Sequence, residues 1–217
     1  MNKTADLARA HWNETPLYLP EQARYDAYPW LYEAAEFAQH SGERVLEIGC
    51  GSGSDLLQFA NHGAIATGVD ITESHLALAR QRVGDVATVV HADMLALPFE
   101  NHSFDYVYSH GVLHHSDQPK EAVREIFRVL RPGGKFNVHV YSWLSESAAI
   151  YFLKHGFAFR RYIENSPKEV HIDFYGRYSL KRLFAPAQIS VRKFQCFHLP
   201  WMAAWLGFFL VAKGINP

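Results

Sequence analysis

The stretch that decides the fold is VLEIGCGSGSDLL, which runs from Val45 to Leu57. An apolar run leads to a carboxylate, Glu47, and three glycines then follow at alternate positions before a helix-like pattern begins. Glycine has no Cβ and readily adopts positive φ angles, so a glycine-rich turn lets the backbone come close to a ligand. The pattern predicts a ligand site at this turn. A carboxylate directly before the turn argues against a phosphate ligand, because both groups are negatively charged.

Length and composition describe a globular protein. The chain has 217 residues, of which 48% are hydrophobic and 20% charged, and this suits one domain, 1–217, rather than a disordered chain. Two cysteines give no disulfide framework, and the first residues contain no apolar signal segment, so we expect a cytoplasmic protein. The most apolar segment, 199–214, contains a proline and a glycine and is too short to span a membrane. We interpret it as a buried terminal strand with its approach loop.

The charges are unevenly distributed along the chain. Residues 1–142 carry 11 Lys and Arg against 18 Asp and Glu, whereas residues 143–217 carry 10 against 4. The basic third could face an anionic substrate, although scattered solvated charges are the better explanation. A long Lys/Arg run of the kind that binds nucleic acid is missing, so we expect no nucleic-acid partner.

Short apolar runs alternate with helical patterns through the middle of the chain. Such alternation predicts an α/β protein with a parallel sheet, helices on both faces, and ligands bound at the carboxyl ends of the strands. The predicted strands are 44–49, 64–70, 86–93, 103–111, 135–142, 189–197 and 207–213. The predicted helices are 55–63, 72–83 and 119–134, the last of which closes in a Pro-Gly-Gly turn. Thr72 is the predicted N-cap of the second of these helices.

Two segments lie outside this alternation. The first, 1–40, is rich in aromatic residues and is predicted to form a helical cap. The second, 143–185, is predicted to be an insertion over the active site. Segments placed over the carboxyl edge of a sheet commonly supply lids and substrate walls, and both are candidates for that role.

Several motifs occur in an order that resembles the class I S-adenosylmethionine-dependent methyltransferases, and within them the type 11 group of small bacterial enzymes. The resemblance covers roughly residues 44–142. It implies a Rossmann-like methyltransferase fold, with a mostly parallel seven-stranded sheet and an antiparallel C-terminal strand. The motifs are VLEIGCGSG (45–53), GVDIT (68–72), HADMLALPFENHSFDYVYS (91–109), GVLHH (111–115) and VLRPGGKF (129–136).

The resemblance implies S-adenosylmethionine as the cofactor and assigns residues to its parts. Glu47 and the backbone around Gly49 and Gly51 would bind the amino acid end, with Glu47 accepting bonds from the ammonium group. Asp70 would accept the ribose hydroxyls, although a helix cap is an alternative role for it. Asp93 would accept from the adenine amino group. The predicted cofactor-binding residues are Glu47, Gly49, Cys50, Gly51, Asp70, Ile71, Asp93, Met94, Ser109 and His110.

A dinucleotide site is the alternative for the same turn. Its fingerprint is G-x-G-x-x-G, and an acidic residue such as Asp70 about 20 positions later would suit NAD(P) as well. The spacing here is G-x-G-x-G instead, and the motifs HAD and LRPGG favour the methyltransferase.

Methyl transfer needs an acceptor atom held in line with the methyl group, and it needs a general base only if the acceptor loses a proton. His110 is the preferred base because it directly follows the fourth strand, and Tyr25 is the second candidate catalytic residue. The predicted substrate-binding residues are Tyr18, Arg24, His114, Tyr175, Arg177 and Tyr178. The histidines after the fourth strand also raise the possibility of a metal site. The i, i+4 spacing of His110 and His114 would suit a metal ion only on a helix, whereas this segment is predicted to be a strand-end loop and no cysteine joins it, so we expect none.

The sequence therefore predicts a small-molecule methyltransferase that uses in-line transfer. We expect a partly apolar or anionic acceptor, no stable membrane span, and a monomer or homodimer. The alternatives are a catalytically silent module that acts through binding, and an enzyme that methylates protein or nucleic acid. An Asn/Asp-Pro-Pro-Tyr/Phe tetrapeptide, typical of amino-group DNA and RNA methylases, is missing from the sequence.

Overall fold

The computed structural model describes residues 3–14, 20–156, 170–195 and 202–217. Within this part of the chain, seven strands form one sheet in the order β3-β2-β1-β4-β5-β7-β6. The strands are β1 Arg44–Ile48, β2 Ile65–Asp70, β3 Thr88–His91, β4 Phe104–His110, β5 Leu130–Tyr141, β6 Ile189–Phe194 and β7 Phe209–Ile215.

The strand directions confirm the predicted fold. Strands β3, β2, β1, β4 and β5 are parallel, whereas β7 lies antiparallel between β5 and β6. Parallel strands place their carboxyl ends at one edge of the sheet, so the turns after β1, β2 and β4 meet there. The glycine turn found in the sequence therefore lies on the edge where ligands of such sheets bind.

Helices cover both faces of the sheet. This is visible at β1, whose successive side chains enter different hydrophobic clusters. Val45 belongs to a cluster with Leu56 and Leu76, and Leu46 belongs to a second cluster with Ile126. The described helices are α1 Lys3–Glu14, α2 Glu21–Ala27, α3 Leu31–Ala35, α4 Ser54–Asn61, α5 Glu73–Val83, α6 Pro119–Val129, α7 Glu146–His155, α8 Arg177–Leu183 and α9 Ala203–Leu206. Short 3₁₀ turns lie at Phe37–Gln39 and Leu113–His115.

One predicted helix end was wrong, and one predicted N-cap was confirmed but is held by a different bond. The helix expected over 119–134 ends at Val129, and Leu130 is already extended and pairs with Phe104. The residue before Pro132 is disfavoured in helical conformation, which explains why the chain leaves the helix early. Thr72 is the N-cap of α5, but its side chain makes no capping bond, and the carboxylate of Asp70 accepts the Thr72 N–H instead.

The described parts of the N-terminal segment contain helices α1, α2 and α3, of which α1 contacts α5 and α3 contacts the sheet. The Ser74 hydroxyl at the start of α5 donates to the Trp12 carbonyl of α1, and the Asn137 amide of β5 donates to the Ala34 carbonyl of α3. Among the described residues, no helix combines the length and apolar character that a membrane crossing requires.

Candidate active site

The turn between β1 and α4 depends on glycine at three positions. Gly49, Gly51 and Gly53 have φ angles of +72°, +51° and +79°, which L side chains rarely adopt. A Cβ on Gly49 would overlap the side chain of Val112, so this glycine is needed for packing. Apart from Gly51 and its two chain neighbours, no atom of the described residues lies within 4 Å of the Cβ position on Gly51. The turn therefore presents open space over Gly51.

The N–H groups of the turn are already used inside the protein. Gly49 and Cys50 both donate to the Val69 carbonyl, at 2.8 and 2.9 Å, and Gly51 donates to Asp70 Oδ2 at 3.0 Å. The Cys50 side chain is buried in the core. The turn thus offers a ligand its open face at Gly51, whereas these three N–H groups hold the turn itself in shape.

Asp70 ends β2 next to the glycine turn and connects two neighbouring segments. Its Oδ1 accepts from the Thr72 N–H at 2.9 Å and lies 3.6 Å from His75 Nδ1. Burial alone would raise its pKa, but hydrogen bonds from His75, Thr72 and Gly51 hold the pKa below its usual range. The group is ionised at neutral pH, and a carboxylate has further lone pairs for ribose hydroxyls. Capping and ribose binding are therefore compatible roles.

Glu47 is the residue whose chemistry most clearly fits the expected cofactor. It is 3% exposed, and among the described residues its Oε2 has no hydrogen-bond partner. Burial, and next the charge of Asp55, raise its pKa well above the usual range. Buried polar atoms are normally paired, so an orphaned carboxylate oxygen beside an open turn suits a ligand that brings a cationic donor. The ammonium group of S-adenosylmethionine is such a donor.

Asp55, in the first turn of α4, is a site residue that the sequence prediction missed. It is 1% exposed and accepts four bonds: from Arg24 Nε at 2.8 Å, Arg24 Nη2 at 2.6 Å, the Tyr25 hydroxyl at 2.9 Å and the Tyr108 hydroxyl at 3.0 Å. Burial alone would raise its pKa, but the charge and hydrogen bonds of Arg24 hold it below the usual range. Its position two residues after the third glycine was the available signal.

This cluster changes the roles expected for Arg24 and Tyr25. The Arg24 guanidinium is bound bidentately to Asp55, so it serves to attach α2 to the start of α4. Burial raises the pKa of Tyr25, and its hydroxyl donates to Asp55, so it is a poor proton acceptor in this state. A catalytic role for Tyr25 and a substrate contact for Arg24 stay predictions.

His110 lies at the carboxyl end of β4 in an aromatic environment. Its Nδ1 is 2.8 Å from Nδ1 of His139 on β5, and its ring stacks on Phe209 with centroids 4.8 Å apart. Tyr28 and Trp30 from the N-terminal segment also lie near His110, with ring centroids 6.2 and 5.9 Å from the His110 ring. Together with Phe209 they form an aromatic wall around it. Burial and the nearby Arg24 charge lower its pKa to about 3, so its ring is neutral at physiological pH.

The residues predicted to hold the adenine lie on the turns after β2 and β3. Asp93 Oδ1 accepts from the Leu95 N–H at 2.9 Å, and Met94 packs against the core while remaining partly exposed. Ile71 is also partly exposed, and its carbonyl binds Nε2 of His91 at 2.9 Å. The parallel pairing of β2 and β3 brings these two turns side by side. Their adenine contacts stay a prediction.

Ser109 and His114 are both buried and have structural contacts. The Ser109 hydroxyl donates to the Ile48 carbonyl at 3.1 Å. His114 is fully buried, stacks on Tyr141 with centroids 3.8 Å apart, and its carbonyl accepts from the Asp173 N–H. Among the described residues, no group of three or more His, Cys, Asp or Glu side chains is arranged to hold a metal ion.

The remaining predicted substrate residues separate into two places. Tyr175 is buried and pairs with Ser142 at the end of β5, and its hydroxyl has no partner among the described residues. Arg177 and Tyr178 are exposed on α8, where they line a surface pocket of about 330 Å³ with the start of the edge strand β6. Tyr18 lies outside the described residues.

Comparison with known proteins relates the core of this site to one family. Residues 46–138 match a family model described as a methyltransferase domain. The chain is 36% identical over 101 residues to 27-O-demethylrifamycin SV methyltransferase of Amycolatopsis mediterranei, covering 44% of this chain and 37% of the relative. It is 36% identical over 119 residues to the ubiquinone/menaquinone biosynthesis C-methyltransferase of Roseobacter denitrificans, covering 51% and 47%. The matches span less than half the length of these relatives.

Solved structures agree with the fold. A methyltransferase of Haloferax volcanii, solved with the Trm112 methyltransferase activator, superposes with a TM-score of 0.74 at 18% identity, covering 96% of this chain and 97% of that one. Phosphoethanolamine N-methyltransferase 2 of Haemonchus contortus, solved with phosphomonomethylethanolamine and S-adenosylhomocysteine, gives a TM-score of 0.68 at 19% identity, covering 96% and 60%. At these identities the likeness concerns the fold alone.

Proposed function

We propose that the chain is a class I S-adenosylmethionine-dependent methyltransferase, as the family match over residues 46–138 supports, and that it transfers a methyl group from S-adenosylmethionine to a small-molecule acceptor. The observation that carries the proposal is the pairing of two features at one turn. Within the described part of the chain, Glu47 has a buried carboxylate oxygen without a hydrogen-bond partner, and Gly51 has open space where any other residue would carry a side chain. Together they suit a ligand with an ammonium group that approaches the backbone closely.

The bound donor would supply a methyl group already activated by its sulfonium, so the protein chiefly has to orient the acceptor. Glu47 would fix the amino acid end, Asp70 the ribose, and Asp93 the adenine. Glu47 is the penultimate residue of β1, Asp70 ends β2 and Asp93 follows β3, and these are neighbouring parallel strands. The extended donor would then lie along the carboxyl edge of the sheet, with its methyl group near the end of β4.

The acceptor would lie beyond the end of β4, against the aromatic wall. The wall consists of Tyr28, Trp30 and Phe209 around the His110 ring. Such surfaces favour a flat, partly apolar acceptor, because aromatic rings stack and exclude water. Two relatives whose names mention rifamycin and ubiquinone or menaquinone are consistent with this class. An anionic acceptor is less well supported. Arg24, which lies four residues before Tyr28 of the wall, is already bound to Asp55.

We take the chain as one domain whose N-terminal helices border the acceptor side. The Trp30 indole donates to the Gln195 side chain after β6, and the ring stacks on Phe194 with centroids 4.9 Å apart. These contacts link the N-terminal segment to the C-terminal strands directly above the His110 ring. The segment is therefore placed to shape the acceptor pocket and to exclude water from it.

The experiment that tests the proposal follows a labelled methyl group. The purified chain is incubated with methyl-labelled S-adenosylmethionine and a cell extract separated into small-molecule, protein and nucleic-acid fractions. We expect label in the small-molecule fraction together with stoichiometric S-adenosylhomocysteine, and loss of both with the Gly51→Ala variant. Label confined to protein or nucleic acid would contradict the proposed acceptor class. Absence of label from every fraction, with the donor bound, would favour a silent binding module.

A further inference from the structure

His139 is a fully buried histidine that forms a direct pair with His110. The two residues are opposite each other in the β4–β5 register, and their Nδ1 atoms are 2.8 Å apart. A hydrogen bond between two ring nitrogens needs a proton on one and a lone pair on the other. Which histidine donates is set by what binds the second nitrogen of His139.

Asn137 binds that second nitrogen and therefore determines which histidine donates. Its Nδ2 lies 2.6 Å from the Ala34 carbonyl oxygen, and its Oδ1 lies 2.9 Å from His139 Nε2. A backbone carbonyl can only accept, so the amide must turn its NH₂ toward Ala34 and its oxygen toward His139. His139 Nε2 therefore carries a proton. Asn137 and His139 are both fully buried, so no water competes for these bonds.

The proton positions along the hydrogen bonds that join Asn137, His139 and His110 then follow. Burial, with smaller contributions from neighbouring positive charges, lowers the pKa of His139 well below its usual range, so the ring is neutral. A neutral ring with its proton on Nε2 has a lone pair on Nδ1. His110 must donate its Nδ1 proton to that lone pair. The lone pair of His110 is consequently on Nε2, the nitrogen not used in this bond, on a ring that is partly exposed.

We propose that Asn137 and His139 are positioning residues that hold His110 in the tautomer with a bare Nε2 facing the acceptor. The inference rests on the proposed methyltransferase function. When an acceptor hydroxyl is methylated, its O–H bond breaks, the electron pair stays on oxygen, and the proton binds Nε2 of His110 and later leaves to water. A weak base suffices, because the oxygen becomes strongly acidic as it gains the methyl group. In water the other tautomer of histidine predominates, and its Nε2 could not accept a proton.

The first test reads the tautomer directly, without cofactor or substrate. Nitrogen-15 NMR of the imidazoles distinguishes protonated from bare ring nitrogens. We expect a protonated Nδ1 and bare Nε2 on His110, and the reverse on His139. In His139→Phe, a change of similar volume, His110 should revert mainly to the Nε2-protonated form. His62→Asn, outside the chain of bonds, is the matched control and should leave the His110 signals unchanged.

The second test measures the kinetic consequence. His139→Phe should lower kcat about 10-fold or more while the KM for S-adenosylmethionine stays within about twofold. His139→Asn, which can present an amide oxygen to His110 Nδ1, should restore part of kcat and of the His110 tautomer. Binding of S-adenosylhomocysteine to each variant checks that it has folded.

The outcomes separate the two proposals. An Nε2-protonated His110 in the wild type, or an unchanged kcat in a folded His139→Phe that has switched tautomer, overturns the positioning role. Methyl transfer in the same preparation would leave the proposed function intact. The expected tautomers without any methyl transfer would support the bonding pattern and count against the methyltransferase function instead.

Discussion

At the scale of single residues, the buried Glu47 carboxyl group lowers folding stability at neutral pH, although it is the proposed acceptor for the cofactor. Its folded-state pKa is raised by burial, so the folded protein becomes less stable as pH rises above the unfolded-state pKa of about 4.3. Glu47→Gln removes this ionisable group, so no buried carboxyl group has to be ionised or to take up a proton when the chain folds. We expect the variant to be about 1–3 kcal/mol more stable than wild type at pH 7, a rise of several degrees in Tm, with the difference shrinking toward pH 4. Thermal unfolding at both pH values measures this.

The same substitution should weaken cofactor binding, because a neutral amide oxygen replaces the negatively charged acceptor for the ammonium group. The expected loss is 10-fold or more in the affinity for S-adenosylhomocysteine. A Glu47→Gln protein that is less stable than wild type at pH 7, or that binds equally well, would contradict the role assigned to this carboxylate.

Gly49 and Gly51 provide a matched pair at the same scale. Both have positive φ, which costs alanine about 1–2 kcal/mol. Gly49→Ala also forces a Cβ into Val112, whereas Gly51→Ala meets only open space. We expect Gly49→Ala to show the larger loss of stability in urea unfolding. Gly51→Ala should fold with a modest loss and fail to bind the cofactor, and equal stability losses would contradict this distinction.

At the scale of elements, the Arg24–Asp55 pair attaches α2 to the start of α4. Arg24→Met leaves the buried Asp55 charge without its ionic partner, which typically costs about 3–5 kcal/mol. Arg24→Met combined with Asp55→Asn should cost less than the sum of the single changes, because the uncompensated charge is gone. Urea unfolding of the double-mutant cycle measures this.

Arg192→Met is the control for that cycle. Arg192 lies 3.4 Å from Glu33, but both side chains are about two-thirds or more exposed, at 68% and 73%. Exposed pairs contribute about 1 kcal/mol or less, so this variant should unfold close to wild type. Additive free energies in the Arg24–Asp55 cycle would show that the two elements are not coupled through this pair.

The elements themselves were largely predictable from sequence. Alternating apolar runs and helical patterns located the strands, because buried parallel strands and amphipathic helices have different periodicities. The boundary at Leu130 was not predicted correctly. Its conformation depends on pairing with Phe104, which is distant in sequence. The segment 131–134 looked like a helix-ending turn and instead forms an irregular start of β5, where the register shifts.

At the scale of the whole molecule, buried carboxylates predict how stability depends on acid. The pKa values of Asp55 and Asp70 are held below the usual range. A lowered folded-state pKa stabilises the protein above the unfolded-state pKa of about 3.9, and this contribution is lost as pH falls through the folded-state value. We expect the urea midpoint to fall steeply below about pH 4. A midpoint that stays constant down to pH 2 would contradict the ionised state of these groups.

The candidate site was only partly predictable from sequence. Glu47, Gly51 and Asp70 could be proposed from sequence because each belongs to a motif at a strand end, and their cofactor contacts stay predictions. Asp55 and His139 were missed, since their importance comes from partners on other elements. His139 contacts His110 only through the β4–β5 register, and Arg24 reaches Asp55 across 31 positions. Such pairings require the arrangement of the whole sheet and its N-terminal helices.

Calorimetric titration of the purified chain with S-adenosylhomocysteine shows directly whether the glycine turn binds the cofactor. We expect saturable binding at one site per chain. Gly51→Ala should lose that binding while keeping the wild-type circular dichroism spectrum. Absence of binding by the folded wild type, or equal binding by wild type and Gly51→Ala, would contradict a cofactor site built on Glu47 and the open glycine turn.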